Sequence, residues 1–155
     1  MDISEVHIPD LKAIKAIARD AVNLSVQATE SEKQGLLNSI TSDIDAYSGN
    51  HSSCYLCARD NDGIIHGYIV IKDHWNLAHL FVAPSSHGKG LGRKLLDCGI
   101  VACQNVGNLG YLRVNSSLNA VRFYEKLDFV PNLDVKAKAK FAVPLIYYFP
   151  GHIQT

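Results

Sequence analysis

The chain has 155 residues, with 15 lysine plus arginine against 15 aspartate plus glutamate and a formal net charge of zero at pH 7. That length predicts one domain with its own core, and the balanced charge excludes a generally basic surface for nucleic acid or anionic lipid. The N-terminus MDISEVHIPD lacks a basic region followed by an apolar core, and runs such as GYIVI are far too short to span a bilayer, so the expectation is a cytoplasmic protein with no membrane partner.

A short first strand is expected around Ile3 to Val6. Pro9 and Asp10 then open a helix whose apolar positions Leu11, Ile14, Ile17 or Ala18, and Ala21 repeat at helical spacing. Thr29 to Glu32 has the form of a capping box, followed by Leu36, Leu37, Ile40, Ile44 and Tyr47 along one face of a second helix that Gly49 should stop. CYLCARDNDGIIHGYIVIKD reads as an antiparallel hairpin turning at Asn61-Asp62-Gly63. LAHLFVAP is a third strand, ended by Pro84, which has no N–H to give to a ladder.

Gly88, Gly90 and Gly92 follow, at the mouth of a helix with an apolar stripe of Leu91, Leu95, Gly99, Ala102 or Cys103, and Val106. YLRV is a strand, SLNAVRFYEKLDF a short amphipathic helix, and KFAVPLIYYF a last strand; Lys136, Lys138 and Lys140 alternate with alanines as one solvated face. The fold class is α/β, a single domain with a mixed sheet and helices on both faces. Four cysteines invite a metal or disulfide reading. However, Cys54 and Cys57, three apart on a strand, point to opposite faces, and Cys98 and Cys103 lie about 140° apart on a helix. The expectation is four reduced thiols and no metal site.

A helix start carries unpaired N–H donors and a partial positive charge, and glycine lets those donors converge without a Cβ in the way, so this loop should hold an anion such as phosphate. Spacing separates the candidates. A dinucleotide fingerprint needs a third glycine where Arg93 stands and an acidic residue where the next strand ends in Asn115. A triphosphate loop needs glycine at Ala83 and a hydroxyl at Gly90. Neither pattern is present.

The run Val82-Ala83-Pro84 followed by His87-Gly88-Lys89-Gly90-Leu91-Gly92 resembles the coenzyme A loop of the GCN5-related N-acetyltransferase (GNAT) family. One strand later, SSLNAVRFYEKLDF resembles that family's second hallmark, with Ala120, Phe123, Tyr124 and Phe129 in register. The likeness covers nearly the whole chain and implies a GNAT fold with a mostly antiparallel central sheet. It departs in three places. His87 replaces the family's Arg or Gln, Ser117 replaces an Asn, and Asp128 replaces a Gly at a turn whose left-handed conformation aspartate tolerates. Ser117 should cap the following helix through its hydroxyl while reaching less far toward the pantetheine arm.

The resemblance implies acetyl-CoA as cosubstrate and transfer of its acetyl group to a primary amine of a small molecule or peptide by direct attack, in a monomer or homodimer. Backbone N–H groups of Gly88, Lys89, Gly90, Leu91, Gly92 and Arg93 would hold the pyrophosphate beside His87, with charge added by Lys89 and Arg93. Leu80, Phe81 and Val82 would offer free backbone groups to the pantetheine arm. Tyr124 would be the general acid, because a phenol stays protonated at neutral pH. His79 is the first choice of base, with an ordered water in its place if the ring faces away. Asn76, near where some relatives carry a glutamate, cannot act as a base. Lys126 would approach the adenosine 3′-phosphate or form a solvent-facing pair with Arg122. A coenzyme A-binding module without turnover is the alternative. A transferase acting on aminoacyl-tRNA is disfavoured by the neutral charge. The acceptor should be chosen by the first two helices and the loop between them.

Overall fold

A computed structural model of the chain describes residues 1–47, 52–107, 109–137 and 142–151. Strands β1 (Asp2–Glu5), β2 (Cys54–Arg59), β3 (Ile65–Lys72), β4 (Asn76–Val82), β5 (Tyr111–Ser117), β6 (Val130–Pro131) and β7 (Ala142–Tyr148) form one sheet in the order β1-β2-β3-β4-β5-β7-β6. All neighbours are antiparallel except β4 and β5. Helices α1 (Leu11–Ser25) and α2 (Glu30–Asp45) cover one face, and α3 (Leu91–Cys103) with the short α4 (Val121–Glu125) covers the other. The α/β fold with helices on both faces is therefore the observed one.

Two apolar clusters, one per face, hold the layers together. Ile14, Val22, Ile40 and Ile44 pack on Tyr68 and Val70 of β3, while Leu91, Leu95 and Leu96 pack on Ile69, Ile71 and Leu112. Successive β3 residues thus serve opposite cores, as the two-residue period of a strand requires. Cys54 belongs to the α3 side and Cys57 to the α1–α2 side, and all four cysteines are free. Among the described residues no helix is long and apolar enough to cross a membrane, and no cluster of three metal-ligating side chains is present.

Local chemistry explains the helix starts. The Thr29 hydroxyl accepts the Glu32 N–H at 3.1 Å and the Glu32 carboxylate accepts the Thr29 N–H at 2.9 Å, a complete capping box for α2. Before α1, Ile8–Asp10 form a 3₁₀ turn, and the Asp10 carboxylate accepts the His7 N–H and both Arg59 Nη groups, tying the helix start to β2. Several boundaries differ from expectation. Helix α2 ends at Asp45, Tyr47 lies outside it with its ring tilted against Tyr55 at 4.6 Å between centroids, and Gly49 lies outside the described residues. Helix α3 ends at Cys103, which leaves Val106 60 % exposed in a turn rather than on the stripe. The expected helix over 117–129 is a 3₁₀ turn plus five α-helical residues, closed by Asp128 at φ 70°. Lys136 is exposed outside any strand, and Lys138 and Lys140 lie outside the described residues.

Candidate active site

The parallel pair β4–β5 is joined only at Asn76 with Arg113 and Leu77 with Val114. Beyond that point the two strands part, while each keeps its partner on its other edge: β4 with β3 as far as Val82, and β5 with β7 as far as Ser117. The opening leaves Ala78 to Val82 without a ladder partner on the β5 side. Two cavities fill it, of about 480 and 350 Å³. Val26, Leu80, Phe81, Ser117, Ala120 and Tyr124 line both, so the two cavities adjoin across these residues.

The larger cavity lies against the glycine loop. Gly88 and Gly90 adopt φ values of 77° and 75°, and nothing stands within 4 Å of where a Cβ would sit on either. Both need glycine for conformation, and the space they leave open is a backbone cradle at the α3 N-terminus. Gly92 differs. A Cβ there would make an ordinary van der Waals contact with the Phe123 ring at 3.5 Å, so neither conformation nor space demands glycine at this position. Leu80, Phe81, Val82, His87, Gly88, Gly90, Leu91, Gly92 and Ser117 line this cavity together with Tyr124. Lys89, Arg93 and Lys126 are exposed and outside it.

Two polar chains brace its rim. The Ser86 hydroxyl donates to His66 Nδ1 at 2.9 Å and His66 Nε2–H donates to Asp60 at 2.7 Å, anchoring the turn before the glycines to the β2–β3 hairpin. On the other side the Ser117 hydroxyl donates to the Asn119 side-chain oxygen at 2.9 Å, and Asn119 donates to the Ser25 carbonyl at the end of α1 at 2.6 Å. Ser117 therefore does not cap its helix through its side chain; the hydroxyl is drawn off by Asn119. His87 donates Nε2–H to the Val82 carbonyl at 2.8 Å, which holds the loop against the end of β4.

Tyr124 is 6 % exposed, stacked edge-to-face on Phe123 and Phe129 at 5.1 Å each. Burial pushes its phenol well above the ordinary tyrosine value, so the hydroxyl keeps its proton at any physiological pH.

The smaller cavity opens toward α2 and contains a group that sequence reasoning missed. Asp43 accepts from Lys72 Nζ at 2.8 Å through Oδ1 and from His79 Nε2 at 3.0 Å through Oδ2. The His79 hydrogen bond, with a smaller contribution from Lys72, holds the Asp43 carboxyl below its ordinary range despite partial burial. On its other nitrogen, His79 Nδ1 meets the Tyr68 hydroxyl at 3.2 Å. An ionised carboxylate can only accept, so Nε2 carries the proton and Nδ1 takes the Tyr68 hydrogen. The expected base thus has no lone pair facing the cavity; its ring orients Asp43 instead. The only sequence signal for Asp43 was its place on the apolar face of α2, three residues after Ile40 and four before Tyr47.

The model of the Acetyltransferase (GNAT) domain matches residues 23–142. Among solved structures, a GCN5-related N-acetyltransferase from Rhodopseudomonas palustris is 19% identical with a TM-score of 0.76, covering 96% of this chain and 95% of that one. The paia N-acetyltransferase from Thermoplasma acidophilum, in complex with coenzyme A, is 18% identical with a TM-score of 0.73, covering 96% and 98%. A GNAT-family acetyltransferase from Staphylococcus aureus Mu50 is 18% identical with a TM-score of 0.70, covering 95% and 98%. No curated protein sequence matches the chain. With the parted strands and the glycine cradle both inside the matched span, the chain belongs to the GNAT acetyltransferase family.

Proposed function

We propose that the protein is an acetyl-CoA-dependent N-acetyltransferase that acylates a primary amine by direct attack. The observation that carries this reading is Tyr124, a buried phenol lining both the cavity at the glycine cradle and the cavity under α2. A donor held on one side and an acceptor entering from the other would meet beside it.

The residues fit coenzyme A. Backbone N–H groups of the Gly88 to Arg93 segment would take the pyrophosphate, in the space that a Cβ at Gly88 or Gly90 would occupy. The unpaired edge of β4 at Leu80 to Val82 would take the pantetheine arm. When bound, acetyl-CoA supplies a thioester carbonyl as electrophile and a thiolate as leaving group. Tyr124 would hold a proton on Oη for that thiolate, as a phenol does at neutral pH. An amide of the β4 edge would donate to the carbonyl oxygen as charge develops. With both His79 nitrogens engaged, the amine proton would leave through an ordered water.

The test is coenzyme A binding by calorimetry, followed by free-thiol release from acetyl-CoA with a panel of amino acids, amines, aminoglycosides and peptide N-termini. Donor binding with amine-dependent thiol release is expected. Donor binding with no release from any amine would replace the enzyme reading with a coenzyme A-binding module.

A further inference from the structure

We propose that Asp43 is the anchor that receives the acceptor in its resting ammonium form, before a proton passes to water and the neutral amine attacks, and that its pairing with Lys72 selects small amines carrying a single positive charge. This rests on the N-acetyltransferase reading and names the acceptor class for it.

Among the described residues lining the 350 Å³ cavity, Asp43 is the one carboxylate and Lys72 the one permanent cation; the rest are apolar or hydrogen-bonding, the latter being Ser39, Asn76, His79, Asn115, Ser116, Ser117 and Tyr124. A carboxylate offers about four acceptor positions, and two are filled here, by Lys72 and His79. The Asp43 side chain is 22 % exposed, so the remaining lone pairs can be reached. Its orientation is imposed from behind. Tyr68 is fully buried with its hydroxyl 3.2 Å from His79 Nδ1, which fixes the ring whose Nε2–H donates to Asp43. The chain Tyr68 to His79 to Asp43 runs in one direction and ends on an anion at the cavity wall.

An ammonium has three donors and forms charge-assisted bonds with such an anion. The charge count then limits the guest. Asp43 and Lys72 cancel, so a monocation brings one charge that it shares with Lys72 around the same carboxylate. A diamine brings a second ammonium into a wall with no second carboxylate, where its desolvation is unpaid. The groups facing Asp43 are Lys72 from β3, His79 from β4, and the phenols of Tyr55 and Tyr68, none of which adds an anion at neutral pH. The cavity volume also lies in the small-molecule range.

The experiment is calorimetric titration of n-butylamine and of 1,4-diaminobutane, at pH 7, into the protein saturated with coenzyme A, for wild type, Asp43→Asn and Lys72→Met. Coenzyme A titrations of all three proteins serve as the fold control. Wild type should prefer butylamine. Asp43→Asn should weaken butylamine by about tenfold or more, the worth of a hydrogen bond to a charged group, with coenzyme A affinity within about twofold. Lys72→Met should move the preference toward the diamine. Butylamine affinity unchanged in Asp43→Asn with intact coenzyme A binding, or no amine binding to wild type, overturns the anchor. An unmoved preference in Lys72→Met overturns the charge limit. Because binding is read without turnover, Asp43-dependent amine binding in a protein that releases no thiol rejects the enzyme reading and keeps the anchor. Thiol release that is indifferent to Asp43→Asn does the reverse.

Discussion

Placing Asp and Asn in turn at position 90 separates charge from shape in the glycine cradle. Gly90 sits at φ 75° with open space around the position a Cβ would take, so the first atom of either side chain meets no neighbour. A non-glycine residue there costs about 1–2 kcal/mol in backbone strain, less for Asn and Asp, and the cost is shared because both tolerate the left-handed region. Their ratio of coenzyme A affinities therefore isolates the carboxylate. At a separation of about 6 Å and an effective dielectric of about 40–80, each pyrophosphate charge is repelled by about 0.7–1.4 kcal/mol. Two charges give about 1.5–3 kcal/mol, or about 10–150-fold in Kd. The assay is coenzyme A titration of both variants at low salt and again at about 0.5 M, where screening should shrink the ratio toward unity. Equal Kd values for Gly90→Asp and Gly90→Asn at low salt would show that no anion sits in the cradle, and the donor assignment would fall with it.

Tyr124→Phe should lower kcat by about one to three orders of magnitude on an amine acceptor, with coenzyme A affinity nearly unchanged in calorimetry, because only the proton for the leaving thiolate is lost. Gly67→Ala places a Cβ 3.0 Å from the Phe81 carbonyl and 3.1 Å from Leu95, between β3, β4 and α3, and should destabilise by about 1–3 kcal/mol, seen as a Tm lower by about 2–12 °C. Leu95→Ala empties a fully buried site under α3 and should cost about 2–5 kcal/mol in urea unfolding. The Arg59 hydrogen bonds hold the Asp10 carboxyl below its unfolded value of 3.8. A depressed carboxylate stabilises above the unfolded pKa and loses that contribution as pH falls through the folded one, so Tm should be level from about pH 7 to 5 and drop below about pH 4. Asp10→Asn should lower Tm at pH 7 and flatten that drop.

What the sequence alone determines here is mostly local. The Thr29–Glu32 box, the glycines at positive φ before α3 and the left-handed Asp128 are settled by residues within a few positions of one another, and each was legible from residue type and spacing. The family motifs lie in the same short windows; His87, Gly88, Gly90, Gly92, Ala120, Phe123 and Tyr124 line the larger cavity, while Lys89 and Phe129 line neither. Distant partners decided the rest. A bulge in the β3–β4 ladder pairs Val70 with His79 but Ile71 with Leu77, adding one residue at Ala78. Without it Leu77 and His79 would share a face; with it Leu77 packs under α3 while His79 turns toward α2 and meets Asp43, 36 residues earlier. The same holds for Ser117, whose hydroxyl leaves its helix for Asn119 because Asn119 is itself held by the Ser25 carbonyl, 94 residues away. Spacing along a strand predicts sidedness only while the two-residue period is unbroken, and a hydrogen bond goes to whichever partner the fold delivers.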